Sequence, residues 1–537
     1  MRRRALCALA VVSVLTLAMP GAGAARRHSA RRRPAQHLPL ATVVQEILAN
    51  PEVARAHWGI SVVTLQGKPV FALNDGQMFE PASNAKLFTT ATLLDLVPAN
   101  ATWTTDVVTS GTLDAQGTLR GDVRLLGSGD PTMSGRSYPY EGKTERPNPP
   151  LQALEQMADQ IVASGVKRVD GDVVGDDRWF VWERYGGDWA WDDLVWDYGA
   201  PVSALTLNDN VQYLNVTPAA TGVAEAGDAG VSAHSWVVAW NPDVPYYQVE
   251  NGLMLAAPGT PAHSGIDRAP GSKDIRLFGS ITANGMHEGL AIIDPAEFAA
   301  VALRQMLLAR GVTVTGAARA WHRLSEDTQE YSAEVGQPVV LRPLNVSTIA
   351  PSVTGLRVLA THVSPPLADD VKVTLKVSQN LHAELYQRLL GRLEGDDGSV
   401  AQGARVVRQF LISAGVDPGD FVFSDGSGLS PIDLITPRAA TTLLTYAARQ
   451  PWGAIYRSAL PEGGVDGTLS DRFQHQLRDR VFAKTGTLAD VNALSGYLTA
   501  RSGKTLVFSI LCNDRNPQGD APLHAMDDVV RAIAERN

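Results

Sequence analysis

The stretch PASNAKLFTTATLLDLV, residues 81–97, constrains this chain most, because it joins a reactive pair of side chains to a helix start. Ser83 and Lys86 form an S-x-x-K pattern, and apolar residues with helical spacing follow from Leu87 to Val97. The spacing predicts a helix with Ser83 at or near its N-terminus and Lys86 one turn later on the same face. Free N–H groups and the helix dipole can stabilise an oxyanion there, and a lysine of depressed pKa can take the serine proton.

An S-x-x-K pattern alone is weak evidence, and the chain holds a second copy from Ser164 to Lys167. That serine ends a helix-like run, LQALEQMADQIVAS, and Gly165 has the position of a helix C-cap before a strand. We therefore interpret the second copy as a coincidence.

Two further motifs follow Ser83 along the chain. Ser378-Gln379-Asn380 is the one S-x-N pattern in the sequence, and Lys484-Thr485-Gly486 is the one K-T-G pattern. The latter lies in a strand-like run, VFAKTGTL, before a predicted hairpin. The order S-x-x-K, S-x-N, K-T-G is typical of penicillin-recognising serine enzymes.

The N-terminus has the three parts of a secretory signal. Arg2, Arg3 and Arg4 precede the apolar run ALCALAVVSVLTLAM, and Ala22-Gly23-Ala24 has the form of a cleavage site. We predict a signal peptide over 1–24, with an uncleaved membrane anchor as the alternative, and an exported protein of the periplasm or cell-wall space. The basic residues 25–40 predict a disordered leader.

Charge limits the classes of partner. The full chain has 47 basic and 56 acidic residues, and without Arg2, Arg3 and Arg4 the balance is 44 against 56. An acidic body argues against a nucleic-acid partner, and we expect membrane contact to be at most peripheral. No H-E-x-x-H pattern or paired metal-ligand spacing occurs, so we expect neither a metal nor a cofactor.

The middle of the chain has a different texture from its two ends. Helical patterns flank residues 104–366. Within this stretch apolar and polar residues alternate and turn residues are frequent, with a β-meander pattern after Asn100 and a strand pattern over 201–218. We predict that 41–103 and 367–537 form one domain and that 104–366 is a β-rich insertion. Two nested subdomains are expected inside it, the inner one at about 131–205.

One segment of this insertion, residues 176–199, carries five of the eleven tryptophans of the chain. Stacked aromatic rings near carboxylates could bind a glycan. We favour a loop anchored by large apolar side chains.

The motifs together resemble the D-alanyl-D-alanine carboxypeptidase/endopeptidase family, the class C low-molecular-mass penicillin-binding proteins. The blocks that carry the resemblance are PASNAKL, GAPVSALTLNDN, KVSQNLHAELY, SDGSGLS, GGVDGTL and FAKTGTL. The gap of 295 residues between Ser83 and Ser378 is also typical of that family. The resemblance implies a mixed α/β (α+β) fold, a β-lactamase-like serine transpeptidase domain with an antiparallel sheet and helices, split by the insertion. It also implies peptidoglycan stem peptides as substrates and β-lactams as inhibitors.

The resemblance and the chemistry together suggest roles for the motif residues. Ser83 would attack the carbonyl between two terminal D-alanines, with Lys86 as general base, kept neutral by the nearby charge of Lys484. Ser378 would pass a proton to the leaving amine, and Asn380 would bind the substrate's peptide group. The remaining expectations are that Lys484, Thr485 and Thr487 bind the terminal carboxylate, that Gly486 lets substrate lie close to the strand, and that the N–H groups of Ser83 and Thr487 form the oxyanion hole.

Four other residues receive lesser expectations. Glu384 is expected to stabilise its helix, and Asp425 and Asp466 to form turns. Gln379 stands where relatives often carry aspartate, and we expect that position to be peripheral to the chemistry.

Two other functions share these motifs. A β-lactamase would need a dedicated deacylating group, and the sequence does not identify one. A catalytically inactive wall-binding scaffold is the non-enzyme alternative, although all three motifs are intact.

Overall fold

The structure is a computed structural model, and it describes residues 38–142, 146–219 and 236–537. The predicted signal peptide and nearly all of the predicted leader lie outside the described residues. Residues 39–537 form one compact unit.

The helices and strands take up about half of the described chain. The helices are α1 (Leu40–Leu48), α2 (Ala85–Leu96), α3 (Gln152–Ala163), α4 (Pro295–Ala309), α5 (Tyr331–Val335), α6 (Leu367–Val377), α7 (Asn380–Leu393), α8 (Val400–Ser413), α9 (Pro437–Ala447), α10 (Gly453–Ala459) and α11 (Ala521–Arg536). The first strands are β1 (His57–Thr64), β2 (Pro69–Leu73), β3 (Thr102–Thr109), β4 (Thr112–Leu113), β5 (Thr118–Arg120), β6 (Val123–Leu126), β7 (Arg168–Asp170), β8 (Val173–Asp176), β9 (Val211–Pro218), β10 (Trp236–Asn241), β11 (Gln248–Asn251) and β12 (Met254–Leu255). The later strands are β13 (Ser264–Asp267), β14 (Asp274–Ile281), β15 (Met286–Ala291), β16 (Thr313–Val314), β17 (Ala318–Trp321), β18 (Thr348–Ile349), β19 (Arg357–Val363), β20 (Phe421–Val422), β21 (Leu434–Ile435), β22 (Val481–Thr487), β23 (Asn492–Thr499) and β24 (Thr505–Asn513).

An antiparallel sheet of order β2-β1-β24-β23-β22 joins the two ends of the chain. Both of its faces are covered, so its central strands are buried on both sides. Phe508 and Ile510 pack in a core with α1 and α11, whereas Val507 and Leu511 pack in a second core with α9. This alternation follows the two-residue period of a strand. β22 is the edge strand of this sheet, and at its start the Ala483 N–H and the Val481 carbonyl already bond to Pro461 and Gly463.

The second core contains helices from both ends of the chain, α2 and α6–α10. α2 is buried over nearly its whole length, although it has three threonines in four positions. Thr89 donates to the carbonyl of Gly426, Thr90 to that of Lys86, and Thr92 to that of Phe88. These hydrogen bonds satisfy the buried hydroxyls, so a helix with three threonines can lie in the core.

Strands between residues 102 and 363 form separate sheets around their own core. The topology is not the simple β-meander that the turn-rich pattern suggests, because β5 pairs with β7, and β6 with β8, in parallel. Parallel pairs need a crossover, and α3 supplies it. The strands β7 and β8 also pair with β16 and β17, so the sheets do not follow the expected inner boundary at 131–205.

The expected strand over 201–218 begins only at Val211. The residues before it include three consecutive left-handed positions, Asn208, Asp209 and Asn210, with φ of 49°, 56° and 54°. No helix of the described residues is long and apolar enough to span a bilayer.

Candidate active site

Ser83 lies in a single 3-10 turn, Ala82–Asn84, that leads directly into α2. Its side chain is partly exposed, while its neighbours Ala82 and Asn84 are buried. Asn84 Nδ2 donates to the carbonyl oxygen of Lys484 at 3.2 Å and so ties the turn to β22. The predicted position of Ser83 at a helix N-terminus agrees with this geometry.

Lys86 is fully buried, and its Nζ lies within hydrogen-bond distance of three oxygen atoms. Nζ lies 2.8 Å from Ser83 Oγ, 2.6 Å from Asn380 Oδ1 and 2.7 Å from the carbonyl oxygen of Ser427. A neutral amine can donate two protons to the last two oxygens and direct its lone pair at the serine hydroxyl. The arrangement therefore suits removal of the Ser83 proton.

The pKa of Lys86 is lowered from its ordinary value to about 7, and burial is the largest cause. Three carboxylates, Asp425, Glu384 and Asp433, act in the opposite direction and keep it from falling further. The sequence-based expectation that Lys484 keeps Lys86 neutral was wrong as to the main cause. Desolvation of the ammonium, balanced by buried acids, sets the basicity.

Glu384 supports the loop that contacts Lys86. Its carboxylate is buried, Oε1 accepts the N–H groups of Gly426 and Ser427 at 2.9 Å each, and Oε2 pairs with Arg388 at 3.1 Å. Burial, with the nearby Asp425, raises the pKa of Glu384 to about 7. The expected helix-stabilising pair exists, but the contact with the loop is the one that bears on the site. The only signal in the sequence was its position one turn after Asn380.

Asp425 forms the turn that was expected of it, and it also joins the tryptophan-rich segment, residues 176–199, to this loop. Its carboxylate accepts the N–H groups of Ser427, Gly428 and Ser430. Trp189 Nε1 donates to Asp425 Oδ2 at 2.8 Å. The tryptophan-rich segment thus reaches the active-site loop, whereas Trp191 is 71% exposed.

The S-x-N motif forms the corner between α6 and α7. Ser378 caps α6 in the left-handed region, with φ of 63°, and its Oγ accepts a hydrogen bond from Lys484 Nζ at 2.8 Å. Asn380 begins α7 and is held at both ends, by Lys86 at Oδ1 and by the carbonyl of Tyr198, which accepts from Nδ2 at 2.9 Å. The segment that contains Tyr198 therefore borders the site.

Lys484, Thr485, Gly486 and Thr487 lie on the edge strand β22. Lys484 is buried, and burial, with the neighbouring Lys86, lowers its pKa well below the ordinary value. Thr485 Oγ1 is 2.7 Å from Thr468 Oγ1, and Thr487 is exposed. The structure thus brings together the three segments that carry the eight predicted site residues, namely the Ser83 turn with the start of α2, the α6–α7 corner and β22.

The absence of a side chain at Gly486 has a structural reason in addition to the expected one. A Cβ at this position would lie 2.7 Å from the carbonyl oxygen of Pro81 and 3.1 Å from Ala82 Cβ. The absent side chain lets β22 pack against the segment that carries Ser83, rather than only making room for substrate.

Asp466 also does more than form a turn. It pairs with the buried ammonium of Lys376 at 2.6 Å, and it accepts the N–H of Glu462. Since Lys376 lies in the last turn of α6, this pair fixes the Gly-rich loop beside the S-x-N corner. Within the ranges that the structure describes, no group of three or more His, Cys, Asp or Glu could hold a metal ion.

Comparisons with known proteins agree with this geometry. The D-Ala-D-Ala carboxypeptidase 3 (S13) family matches residues 40–331 and 345–535. A D-alanyl-D-alanine carboxypeptidase of Actinomadura sp. (strain R39) is 31% identical over 548 residues, which cover 99% of this chain and 90% of that protein. The D-alanyl-D-alanine carboxypeptidase DacB of Haemophilus influenzae is 23% identical and is covered to 82%. The crystal structure of penicillin binding protein 4 (dacB) from Haemophilus influenzae matches with a TM-score of 0.69 at 20% identity and covers 93% of this chain and 98% of its own.

Proposed function

The chain belongs to the S13 family of D-Ala-D-Ala carboxypeptidases, and we propose that it removes the terminal D-alanine of peptidoglycan stem peptides through an acyl-enzyme on Ser83. The family consists of serine hydrolases, and the mixed α/β fold is that of a penicillin-binding enzyme. The observation that carries the proposal is the position of the buried Lys86 amine, 2.8 Å from Ser83 Oγ and with a pKa of about 7.

Acylation uses the motif residues in turn. Neutral Lys86 takes the proton of Ser83 as Oγ attacks the carbonyl carbon between the two D-alanines. The backbone N–H groups of Ser83 and Thr487 stabilise the oxyanion. Ser378, which accepts from Lys484 at 2.8 Å, gives its hydroxyl proton to the leaving amine and is reprotonated with the proton that Lys86 took from Ser83, so that Lys86 is neutral again.

The leaving D-alanine is recognised by its carboxylate. Lys484 is the buried cation for this group, and Thr485 and Thr487 add hydroxyl donors. A bound carboxylate favours the protonated form of Lys484, which burial otherwise disfavours. The peptide group of the retained portion pairs with the edge strand β22 and with Asn380, and Gly486 keeps that strand against Ser83. Water then hydrolyses the ester and releases the shortened peptide.

The same chemistry makes β-lactams inhibitors. The Haemophilus influenzae penicillin binding protein 4 has been crystallised in complex with a novel β-lactam. In this chain a β-lactam would acylate Ser83 and deacylate slowly. D,D-Endopeptidase cleavage of cross-linked peptides uses the same bond type and is included in the proposal.

We assign the chain to the cell envelope, with 1–24 as signal peptide and 25–40 as a basic leader. The catalytic domain comprises 41–103 and 367–537, with 104–366 inserted, and membrane contact is at most peripheral. The separate sheets between 102 and 363 support this division.

A digest of purified stem peptides by the mature protein tests the proposal. Mass spectrometry should show pentapeptides losing one alanine, and a fluorescent penicillin should label the protein for a long time. Fast turnover of the penicillin would indicate a β-lactamase, and neither reaction would indicate an inactive scaffold.

A further inference from the structure

Asp209 is a fully buried carboxylate of the inserted region that lies directly behind the S-x-N corner. Its Oδ2 accepts from Arg136 Nη2 at 2.7 Å, from Arg146 Nη2 at 2.7 Å and from Gln379 Nε2 at 2.9 Å. Its Oδ1 lies 3.3 Å from His382 Nε2. Two donors thus come from the insertion and two from the first residues of α7 and its cap.

The backbone around Asp209 is held in an unfavourable conformation. Asn208, Asp209 and Asn210 all have positive φ, which residues with a Cβ rarely adopt in succession. Side-chain bonds maintain it, from Asn208 Nδ2 to the carbonyl of Val211 and from Asn210 Nδ2 to that of Pro201, both at 2.8 Å. Strain of this kind persists where a precise side-chain position is required.

Gln379 lies between Ser378 and Asn380 in the chain and connects both of them to Asp209. Its Oε1 accepts the N–H of Leu381 at 3.1 Å, which caps α7, while its Nε2 reaches Asp209. Ser378 and Asn380 flank it, and Ser378 is in the left-handed region. Position 379, which was expected to be peripheral to the chemistry, therefore carries a side chain that bridges the α6–α7 corner to Asp209.

A second chain of contacts reaches α6 through His382. His382 is fully buried, with Nδ1 3.0 Å from Asp370 Oδ1, and Asp370 accepts from Tyr138 of the insertion at 2.8 Å and from Tyr386. Burial alone would lower the pKa of His382, but Asp370 and Asp209 raise it to about 9. Asp209 therefore faces a cation on α7 as well as the two arginines of the insertion.

We propose that Asp209 is a positioning residue for acylation: through Gln379 and His382 it holds the corner that presents Ser378 and Asn380 to Ser83 and Lys86. The inserted region is then part of the catalytic machinery rather than an attached module. The inference rests on the proposed function, because it assigns a position to residues that act in that reaction.

The variant Asp209→Asn tests this with little change of shape, since asparagine tolerates the left-handed backbone. The rate of acylation by a fluorescent penicillin, per folded molecule, should fall about tenfold to a hundredfold, the usual effect of slightly misplaced catalytic groups. The matched control is Asp172→Asn, which removes an insertion carboxylate that pairs with Arg319 and accepts the N–H of Ala317. It should leave the acylation rate unchanged.

A double-mutant cycle separates positioning from general destabilisation. Gln379→Met should also slow acylation, and the double variant should be little slower than Asp209→Asn alone, because both changes break one connection. Unchanged acylation by folded Asp209→Asn, or fully additive rate losses, would overturn the proposal. If Asp209→Asn does not fold, the acylation rate of Gln379→Met is the test: a slower rate supports the proposal, and an unchanged rate overturns it. A wild-type protein that neither binds penicillin nor releases D-alanine would instead refute the proposed function, and this inference with it.

Discussion

Trp189 donates a hydrogen bond from Nε1 to Asp425 Oδ2 at 2.8 Å, although the two residues are 236 positions apart. Asp425 shapes the turn whose Ser427 carbonyl accepts from Lys86. An aromatic side chain of the tryptophan-rich segment therefore supports the environment of Lys86, the proposed general base.

Trp189→Phe keeps an aromatic ring and removes the Nε1–H donor together with the five-membered ring of the indole. Since hydrogen bonds to charged groups contribute about 1.5–3 kcal/mol, we expect the free energy of unfolding to fall by an amount in that range, and acylation to slow. Trp191→Phe is the control, because Trp191 is 71% exposed. Chemical denaturation and penicillin labelling measure both effects. Equal behaviour of the two variants would mean that the bond to Asp425 is unimportant.

The pH dependence of acylation should follow Lys86. The neutral amine is the base, so the rate should rise as pH increases through about 7, the pKa of Lys86. Glu384→Gln keeps an Oε1 acceptor for the loop and removes a carboxyl group whose ionised form, present above its own pKa of about 7, favours the Lys86 ammonium. The pKa of Lys86 should fall, and the acidic limb of the rate profile should move to lower pH.

The control for that experiment is Glu394→Gln at the C-terminal end of α7, where Oε2 accepts from the N–H of Arg342. Its profile should coincide with that of the wild type. A limb that moves to higher pH in Glu384→Gln would show that Glu384 does not act on Lys86 by its charge.

Lys484→Gln tests recognition of the terminal carboxylate. A charge-assisted bond contributes about 1.5–3 kcal/mol, so acylation by a β-lactam free acid should slow roughly tenfold to a hundredfold. The matching β-lactam ester lacks the carboxylate, so its acylation rate should fall much less in Lys484→Gln. Stopped-flow rates for both compounds give the answer, and equal losses would exclude Lys484 as the partner of the carboxylate.

Gly486→Ala should separate β22 from the nucleophile. The new Cβ would lie 2.7 Å from the carbonyl oxygen of Pro81, so either the strand or the Ser83 turn must shift, with a loss of about tenfold to a hundredfold in acylation. At Gly419 a Cβ would meet only Asp417 Oδ1, at 3.3 Å, which makes Gly419→Ala the control. Wild-type rates for Gly486→Ala would show that the contact is unnecessary.

Local patterns in the sequence predicted the elements that carry the motifs. The helical spacing after Ser83 predicted α2, and the strand-like run VFAKTGTL predicted β22. The helix-like run that leads to Ser164 forms α3, as expected. These predictions hold because helix and strand periods are properties of neighbouring residues.

The contacts that hold the motif residues in place could not be predicted from such local patterns. Gln379 and Asp209 are 170 positions apart, and the parallel pairing of β5 with β7 depends on a crossover. The low pKa of Lys86 arises from burial, which no local spacing reveals. For Gly486, the conflict lies with Pro81 at the other end of the chain, so the reason for the glycine appears only in three dimensions.

The most direct test of the account is the mass of the intact protein after brief treatment with a β-lactam. We predict one covalent adduct per molecule, located by peptide mapping on the peptide that contains Ser83, and no adduct in Ser83→Ala, which should remain folded by circular dichroism. An adduct on Ser378 or Ser164, or continued labelling of folded Ser83→Ala, would contradict the assignment of Ser83 as the nucleophile.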